Sequence, residues 1–458
     1  MKEVDSFESL VFFWLIADRR LLTANPMNIV QLTPGTGSFH CGTCLRDHAV
    51  VKAMRRMGHS TLLVPLYLPF VTDGDGAKAD SEIFYGGVNV FLEQKFSLFR
   101  HTPRWMDRLF NSKWMLKFAA KMAGSTDSKL LGPMTISMLR GEEGRQAKEL
   151  EKLIDWLKTQ PKPDVLCLSN GLLVGMARRL KEVFKVPVVC LLQGEDAFLN
   201  AMGKWTDEAW ATAAARSKDV DAFIPVSQYY GDLMATRLQL RPERVHVVHN
   251  GISLEGFHPH EAKIQHPTIG FFARMIPGKG LHLVIDAFLA LKRQGHIPNL
   301  KLKVGGAKTD SDDKFVQEQQ AKIAKAGFVE DVTWSYNVTF EEKLEFLRGI
   351  TLLSVPTTYG ESFGLYILEA LASGVPVVQP RSGAFTELVE ATGGGVLCEP
   401  DNAVSLAAAM EPLLMNDEHA RRLGEQGRQA VHRDFNVDQM AAKLLDVYGA
   451  ATRDLQSV

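Results

Sequence analysis

The stretch Tyr359-Gly-Glu-Ser-Phe-Gly-Leu-Tyr-Ile-Leu-Glu369 says more about the fold and chemistry of this chain than any other segment. Two carboxylates, Glu361 and Glu369, flank a glycine-containing turn that leads into an apolar helical run. The backbone N–H groups at the start of such a helix, around Phe363 to Leu365, form a site for an anion. A carboxylate before that site and another two turns into the helix can bind hydroxyl groups on either side of a phosphate. The pattern therefore suits a sugar nucleotide, a diphosphate with polyols at both ends.

The composition and charge of the chain are those of a globular α/β protein. A chain of 458 residues is too long for one ordinary core, so we expect two or three domains. Hydrophobic residues make up 46% and charged residues 23%, and the 37 glycines favour a turn-rich chain. The formal net charge of −1 gives the whole protein no electrostatic reason to bind nucleic acid. The five cysteines are odd in number and mostly lie in apolar runs, which is typical of a reducing cytoplasm.

Short apolar runs alternate with helical patterns almost from end to end. This alternation predicts parallel sheets covered by helices on both faces, in the doubly wound form. The predicted strands are Asn28–Leu32, Thr61–Pro65, Asp164–Leu168, Pro187–Leu192, Ala222–Val226, Val245–Val248, Thr268–Ala273, Leu300–Val304, Val332–Trp334, Leu352–Val355 and Pro376–Gln379. The helical patterns between them include Leu45–Met57, Gly171–Phe184, Gly280–Gln294 and Glu341–Arg348.

The domain boundaries follow from a pause in this alternation. Residues 257–267 are polar and bounded by prolines, and we interpret them as a linker between two Rossmann-like halves. We expect an N-terminal domain over residues 27–256 and a C-terminal domain over residues 268–434. Residues 1–26 precede the first strand pattern and are expected to be an unpacked extension, with Met27 as an alternative start. Ligands collect at the carboxyl ends of the strands in open α/β sheets, so two facing sheets would place the site in the cleft between domains.

Residues 95–140 form a basic and aromatic excursion from the α/β pattern. Nine cationic side chains against two aspartates give this segment a net charge of +7. Lys113, Lys117 and Lys121 recur at helical spacing beside a stripe of aromatic residues. Two readings stay open: a helix with a core stripe and a solvated face, or a basic amphipathic helix that contacts an anionic membrane. Because no apolar run approaches the roughly 20 residues that span a bilayer, we expect a cytoplasmic protein, with peripheral contact at the inner face of the membrane as an option.

The first βα loop is rich in glycine. Gly35, Gly37 and Gly42 would let backbone amides approach a ligand closely, but His40 stands where a G-x-G-x-x-G motif has its third glycine. Cys41 and Cys44 form a C-x-x-C pair that can be read as a metal or redox site. No second C-x-x-C pair is present in the sequence, which favours a packed or substrate-facing loop.

A second loop, Phe271-Phe-Ala-Arg274-Met-Ile-Pro-Gly-Lys279, places two cations after a predicted strand. Arg274 can bind a diphosphate through two parallel hydrogen bonds, and Lys279 adds a compact charge. Two such cations alone can equally be surface residues. The presence of Glu361 and Glu369 in the same half favours a diphosphate site.

Together these residues resemble those of the retaining family 4 glycosyltransferases, whose GT-B fold has two facing Rossmann-like domains. The resemblance runs from about Asn28 to Tyr448. The residues that carry it are the glycine-rich first loop, Val226-Ser227, His249-Asn250-Gly251, Arg274 with Lys279-Gly280, Glu361 with Glu369, and Ala372-Ser-Gly-Val-Pro-Val-Val378. Each element alone is modest, but the combination is highly specific.

The resemblance implies a role for each matching residue. Arg274 and Lys279 would hold the donor diphosphate, and Glu361 would contact the transferred sugar. These three form the expected catalytic set, and Glu369 would contact the ribose hydroxyls. The other predicted donor-binding residues are Gly35, Gly37, Gln193, Ser362, Phe363, Gly364 and Leu365. Residues 435–458 are expected to be a helix that returns to the N-terminal domain.

Two positions depart from the family pattern. Gln193 stands where the family often has a histidine that contacts the donor sugar, and a glutamine donates a hydrogen bond but does not titrate. His249 stands where the family usually has a proline, a change that we expect to be harmless.

The expected reaction is a transfer from a nucleotide-diphosphate sugar, without a cofactor and without a metal ion. Asp73-Gly-Asp75, Asp219-Val-Asp221 and Asp310-Ser-Asp312 each have an Asp-x-Asp spacing, but three matches to so short a pattern indicate chance. A retaining glycosidase needs two carboxyl groups about 5–5.5 Å apart, whereas eight helical residues span about 12 Å. A sugar-nucleotide 2-epimerase and a non-catalytic sugar-nucleotide binder are the alternatives. The sequence leaves the base, the sugar and the acceptor open.

Overall fold

A computed structural model describes residues 25–35, 42–66, 128–259 and 264–456. Within this part of the chain, contacts separate two compact units. The first contains the described residues up to Ile224, together with Arg237–His246 and the segment that begins at Ala441. The second contains Pro225–Thr236 and Val247–Met440. Nearly all of the expected extension over residues 1–26, and most of the basic segment over residues 95–140, lie outside the described residues.

A five-stranded sheet forms the centre of the first unit. Its strands are β1 (Asn28–Thr33), β2 (Ser60–Pro65), β3 (Val165–Leu168), β4 (Val188–Leu192) and β5 (Ala222–Pro225), in the order β2-β1-β3-β4-β5. β1 pairs in parallel with β2 and β3, and β3 pairs in parallel with β4. Every residue of β3 and β4 is buried, as expected for strands covered on both faces.

The described helices of the first unit follow its strands in alternation. They are α1 (Gly42–Arg56), α2 (Ser128–Leu139), α3 (Ala147–Leu157), α4 (Ala177–Phe184), α5 (Glu195–Asn200) and α6 (Thr206–Ser217), and α7 (Gln228–Leu238) has residues in both units. The helix predicted over Gly171–Phe184 is instead a 3₁₀ segment, Gly171–Met176, followed by α4. The side chain of Asn170 caps the 3₁₀ segment by accepting a hydrogen bond from the amide of Leu172 at 3.0 Å.

A six-stranded sheet, parallel throughout, forms the centre of the second unit. Its strands are β6 (Thr268–Phe272), β7 (Lys301–Gly306), β8 (Val332–Tyr336), β9 (Leu352–Leu353), β10 (Val377–Pro380) and β11 (Gly395–Cys398), in the order β11-β10-β9-β6-β7-β8. The helices are α8 (Leu281–Gln294), α9 (Asp313–Ala326), α10 (Phe340–Arg348), α11 (Leu365–Ala372), α12 (Phe385–Thr392), α13 (Ala403–Met415), α14 (Asp417–Asp434) and α15 (Val437–Gln456). α15 begins in the second unit and continues in the first.

The core of the second unit sits between its sheet and α8. Apolar residues recur along α8 at helical spacing, and Val284, Phe288 and Leu291 are buried against Phe271 of β6 and neighbouring strands. Burial of each such side chain contributes about 1.5–3 kcal/mol relative to exposure. This packing fixes α8 behind β6, and with it the loop that joins them.

The structure corrects two of the strand predictions. The predicted strand Val245–Val248 forms only an isolated parallel bridge between Val245 and Phe223. The amide of Val248 donates to the carbonyl oxygen of Pro225 at 3.0 Å, but Pro225 has no N–H group with which to continue the ladder. β11 was not predicted, because its four residues begin at the last of three consecutive glycines and show little strand signal.

Candidate active site

Two loops at the carboxyl edge of the second sheet carry most of the predicted site residues. One follows β6 and ends in the 3₁₀ turn Pro277–Lys279, and the other follows β9 and ends at α11. The amide of Thr358 donates to the carbonyl oxygen of Gly278 at 3.0 Å, which joins the two loops. Gly280 has a φ of +80°, and a Cβ atom there would lie 1.9 Å from the carbonyl oxygen of Pro356. The close approach of these loops therefore requires glycine at this position.

Glu361 is the centre of a cluster in which three donors meet one carboxylate oxygen. The ammonium group of Lys279 donates to Oε2 of Glu361 and forms a salt bridge with it. The hydroxyl of Tyr366 donates to the same oxygen at 3.1 Å, and that of Tyr359 lies at 3.4 Å. The Lys279 ammonium also lies 5.3 Å and 5.5 Å from the ring centroids of Tyr359 and Tyr366. No described residue donates a hydrogen bond to Oε1 of Glu361, so a hydroxyl group of a ligand could donate to this oxygen.

The protonation states in this cluster follow from its charges. Burial alone would lower the pKa of Lys279, but the charge of Glu361 and the hydrogen bonds from the cluster outweigh burial and raise it. Burial and the Glu361 charge both raise the pKa of Tyr366, and the same two causes raise the pKa of Tyr359. At neutral pH, Lys279 is therefore a cation and both tyrosine hydroxyls are donors.

The start of α11 supplies the predicted anion site. Gly364 precedes the helix with a φ of 98° and makes no side-chain cap, so no side chain of the N-cap residue satisfies the first amides. The amide of Leu365 opens the helix beside the Glu361 cluster, with Ser362 and Phe363 in the preceding turn. A helix start with free amides carries a partial positive charge and binds anions such as phosphate.

The loop before α11 is held from several directions within the second unit. The buried hydroxyl of Ser227 donates to the carbonyl oxygen of Ser362 at 2.7 Å. The amide of Ala384 donates to the carbonyl oxygen of Glu361 at 3.0 Å. At Gly360, a Cβ atom would lie 1.9 Å from the hydroxyl of Tyr229. Ser227 thus contacts Ser362, the residue next to Glu361, although the two are distant in sequence.

Glu369 has its own cation, which the sequence analysis did not identify. Nζ of Lys343, in the second turn of α10, lies 2.6 Å from Oε1 of Glu369. The ammonium also lies 5.8 Å and 5.5 Å from the rings of Phe257 and Phe340. In the sequence, Lys343 stands in the run Glu-Glu-Lys-Leu-Glu, which reads as an ordinary surface helix, so no sequence signal would have singled it out.

Arg274, the second predicted diphosphate ligand, is exposed at the end of β6. Within the described part of the chain, its guanidinium group has neither a hydrogen bond nor a salt bridge. The structure therefore brings Lys279, Glu361 and the start of α11 together and leaves Arg274 at their edge. Its assignment to a diphosphate stays a prediction.

The predicted residues of the first unit lie at the carboxyl edge of its own sheet. Gly35 follows β1 with a φ of 64°, and Gly37 is outside the described residues. Gln193 follows β4, and its side-chain Nε2 donates to the carbonyl oxygen of Ser169 at 2.7 Å. The buried carboxylate of Glu195 accepts hydrogen bonds from the amides of Gln193 at 2.9 Å and Gly171 at 2.7 Å. This network fixes the backbone around Gln193.

Glu387 is a further residue of the second unit that the sequence analysis missed. It accepts from the amide of Gln228 at 2.9 Å and 3.0 Å and from the amide of Tyr229 at 3.3 Å, and thereby caps α7. Its Oε1 is hydrogen-bonded to Nε2 of His249 at 2.6 Å. Burial would raise the pKa of Glu387, but these hydrogen bonds outweigh it and lower the pKa. His249, which departs from the family pattern, therefore has a structural contact.

Three of the four described aspartates with Asp-x-Asp spacing have other partners. Asp219 pairs with Arg178 at 3.1 Å, and Asp221 pairs with a lysine. Asp312 accepts from the amide of Thr309 at 2.8 Å in a capping box. Residues 73–75, like Cys41, lie outside the described residues. Among the residues that the structure does describe, no group of three or more His, Cys, Asp or Glu side chains is placed to hold a metal ion.

Comparison with known proteins gives two family matches and many relatives. Residues 257–430 match the family "Glycosyl transferases group 1", and residues 130–255 match "Glycosyltransferase Family 4". The MMP alpha-(1->4)-mannosyltransferase of Mycolicibacterium hassiacum is 28% identical over 295 residues, which cover 63% of this chain and 70% of that protein. A glycogen synthase of Mycobacterium tuberculosis is 26% identical over 300 residues, which cover 64% of this chain and 70% of that protein.

Solved structures share the fold over nearly the whole chain. Anabaena Alr3699/HepE, in complex with UDP and glucose, has a TM-score of 0.64 and 16% sequence identity and covers 93% of this chain and 100% of its own. The sucrose-phosphate synthase of Thermosynechococcus elongatus has a TM-score of 0.66 and 15% identity and also covers 93% of this chain and 100% of its own.

Two parallel-sheet units and these structural neighbours define the chain as a protein with the GT-B fold, the class expected from the sequence. Together the two family matches cover residues 130–430 almost without a gap. The chain is a family 4-like glycosyltransferase, as its sequence predicts, and the retention of configuration stays a prediction. In the described part of the chain, none of the helices is both long enough and apolar enough to cross a bilayer.

Proposed function

We propose that this chain transfers a sugar from a nucleotide-diphosphate sugar to a hydroxyl group of an acceptor, with retention of the anomeric configuration and without a metal ion. The observation that supports this most directly is the pairing of Lys279 with Glu361 beside the uncapped start of α11. A cation and free helix amides attract a diphosphate, while a carboxylate next to them accepts hydrogen bonds from sugar hydroxyls. A sugar nucleotide has these two features adjacent to one another.

The charge of the site suits departure of the nucleotide diphosphate. Negative charge grows on the leaving phosphate as its bond to the sugar breaks. Lys279, the amides at the start of α11, and Arg274 when it reaches the ligand would stabilise that charge in fixed positions, which is electrostatic catalysis by preorganised groups. The family resemblance implies a front-face displacement in which the departing phosphate helps to accept the acceptor's proton.

The carboxylates are arranged to hold hydroxyl groups. Glu361 and Glu369 are each hydrogen-bonded to their own lysine, through Oε2 and Oε1 respectively. A retaining glycosidase instead needs one carboxyl group as an acid and a second as a nucleophile, across one scissile bond. Because each glutamate is bound to its own lysine, the two carboxylates are better suited to contact a ligand at two separate positions than to act as the acid and the nucleophile of a glycosidase.

The named relatives support a sugar-nucleotide donor. Anabaena HepE was crystallised with UDP-glucose as well as with UDP and glucose. The relatives include a D-inositol 3-phosphate glycosyltransferase of Salinispora tropica, 29% identical over 241 residues. From these names we infer a donor of the nucleoside-diphosphate-sugar class and an acceptor that offers a hydroxyl group on a saccharide, polyol or lipid.

Donor binding followed by product analysis tests the proposal. We would first measure thermal shifts with UDP-, GDP- and ADP-sugars, because a ligand that binds the folded state raises its apparent stability. Proton NMR of the product with the best donor then reports the anomeric configuration. Isomerisation of donor alone would instead identify an epimerase, and binding without turnover against an acceptor panel would identify a sugar-nucleotide binder. Activity that is lost to a chelator and restored by manganese would contradict metal independence.

A further inference from the structure

Lys343 contributes a cation to the part of the site that holds Glu369. It lies on α10, whereas Glu369 lies on α11, and Nζ of the lysine is 2.6 Å from Oε1 of the glutamate. The two side chains are 18% and 21% exposed, so the pair is sheltered but still open to a ligand from one side. The rings of Phe257 and Phe340 flank the ammonium and restrict its positions.

The geometry of the pair leaves a specific part of Glu369 for a ligand. Lys343 occupies Oε1, and no described residue donates to Oε2. A carboxylate held through one oxygen keeps the other in a fixed place, where it can accept from two neighbouring hydroxyl groups. Glu361 shows the same arrangement with Lys279, which occupies Oε2 and leaves Oε1. Each glutamate is thus anchored by a lysine from a different segment.

We propose that Lys343 is a positioning residue that fixes Glu369 for recognition of the ribose diol, and so makes the site select ribonucleotides over dideoxyribonucleotides. This inference rests on the proposed function, in which a nucleoside diphosphate binds at the start of α11. Lys343 also neutralises the charge of Glu369. Without this lysine, the carboxylate would repel a nearby diphosphate. The lysine therefore affects both the affinity for the nucleotide and its preference for the hydroxyl groups.

The test measures dissociation constants by calorimetry for UDP, ADP and GDP and for their 2′,3′-dideoxy counterparts. For the nucleotide that binds, we expect the wild-type protein to prefer the ribose form by roughly tenfold to a hundredfold, the effect of a hydrogen bond to a charged group. In Lys343→Met, this ratio should fall to below about threefold, and binding of the ribose form should weaken. Lys343→Arg should restore most of the ratio. Lys343→Gln, whose neutral side chain is polar and one atom shorter, serves if the methionine variant does not fold.

Lys292→Met is a matched control. Lys292 is 14% exposed, pairs with Asp331 at 2.7 Å and lies 5.0 Å from the ring of Phe328, so its surroundings resemble those of Lys343. Asp331, however, precedes β8 and thus lies at the amino edge of the sheet, away from the carboxyl edge where ligands bind. The control should leave the ribose preference at its wild-type value.

The outcomes separate the inference from the function on which it rests. If one of the diphosphates binds but Lys343→Met keeps the wild-type ratio, or lowers both affinities equally, Lys343 does not position Glu369 for ribose, and the proposed donor site stands. If Glu369→Gln also keeps the ratio, the ribose contact itself is wrong. If none of the three diphosphates or their sugars binds, the proposed function fails and the inference fails with it.

Discussion

Replacement of Lys279 by methionine is the sharpest test of the Glu361 cluster. The side chains of Lys279 and Glu361 are 16% and 14% exposed, so the change leaves a sheltered carboxylate without its cation. Removing one partner of a buried ion pair costs about 3–5 kcal/mol. Two tyrosine hydroxyls still donate to Glu361 and neither side chain is fully buried, so we expect a smaller loss of about 2–3 kcal/mol, at or below the lower end of that range.

The same change should affect turnover more than stability. Loss of one preorganised donor to a developing oxyanion costs about 2.7–4 kcal/mol, or roughly a hundredfold to a thousandfold in kcat. We would measure urea unfolding and initial rates at saturating donor, with Lys322→Met as a surface control whose lysine pairs with Asp286. A double variant with Glu361→Gln should be less destabilised than the sum of its single variants, since the two side chains act as a pair. A turnover of Lys279→Met within about threefold of wild type would refute its role in stabilising the leaving phosphate. If the ion pair only stabilised the fold, the variant would lose stability but keep its turnover.

Three further predictions concern the loops and the pH dependence of stability. Tyr366→Phe removes one donor to Glu361 and should lower donor affinity by about 0.5–1.5 kcal/mol in calorimetry; unchanged affinity would show that the hydroxyl is dispensable. Gly280→Ala should destabilise the protein by about 1–3 kcal/mol more than Gly295→Ala, because the cost of a positive φ is common to both and only Gly280 faces a backbone oxygen; equal losses in urea unfolding would contradict the close approach. Burial lowers the pKa values of His59, His282 and His432. The unfolded chain therefore binds more protons than the folded one below about pH 6.5, and the free energy of unfolding should fall as the pH drops. Urea midpoints between pH 7.5 and 5.5 test this, and a flat profile would refute it.

Most of the fold could be predicted because the apolar runs are local signals. A central parallel strand is buried on both faces, so its sequence is a short continuous apolar run such as Val188–Leu192. The strand predicted at Val245–Val248 fails for a reason that lies in its partner, since Pro225 has no N–H group to donate. Strand pairing of this kind depends on residues far along the chain, which a local run does not reveal.

The candidate site was predictable in part for a similar reason. Lys279 and Glu361 could be grouped because each follows a strand, and the carboxyl ends of parallel strands share one edge of a sheet. Lys343 and Glu387 could not be grouped with them, because their contacts depend on how α10 and α12 pack against other elements. A charged residue on a helix has the same appearance in sequence whether it faces solvent or a neighbouring carboxylate.

The brevity of β9 has a consequence for amide exchange. This strand has two residues, Leu352–Leu353, although it lies between β10 and β6 inside the sheet. The chain that follows must therefore be ordered by single contacts, such as those of Thr358 and Ser362 with separate segments. We expect the amides that already donate within the protein, such as that of Thr358, to be protected against exchange with deuterium before any ligand is added, whereas the free amides at the start of α11 should gain protection only from a bound donor. A nucleotide would then meet a surface that is already formed and would lose little affinity to the ordering of backbone.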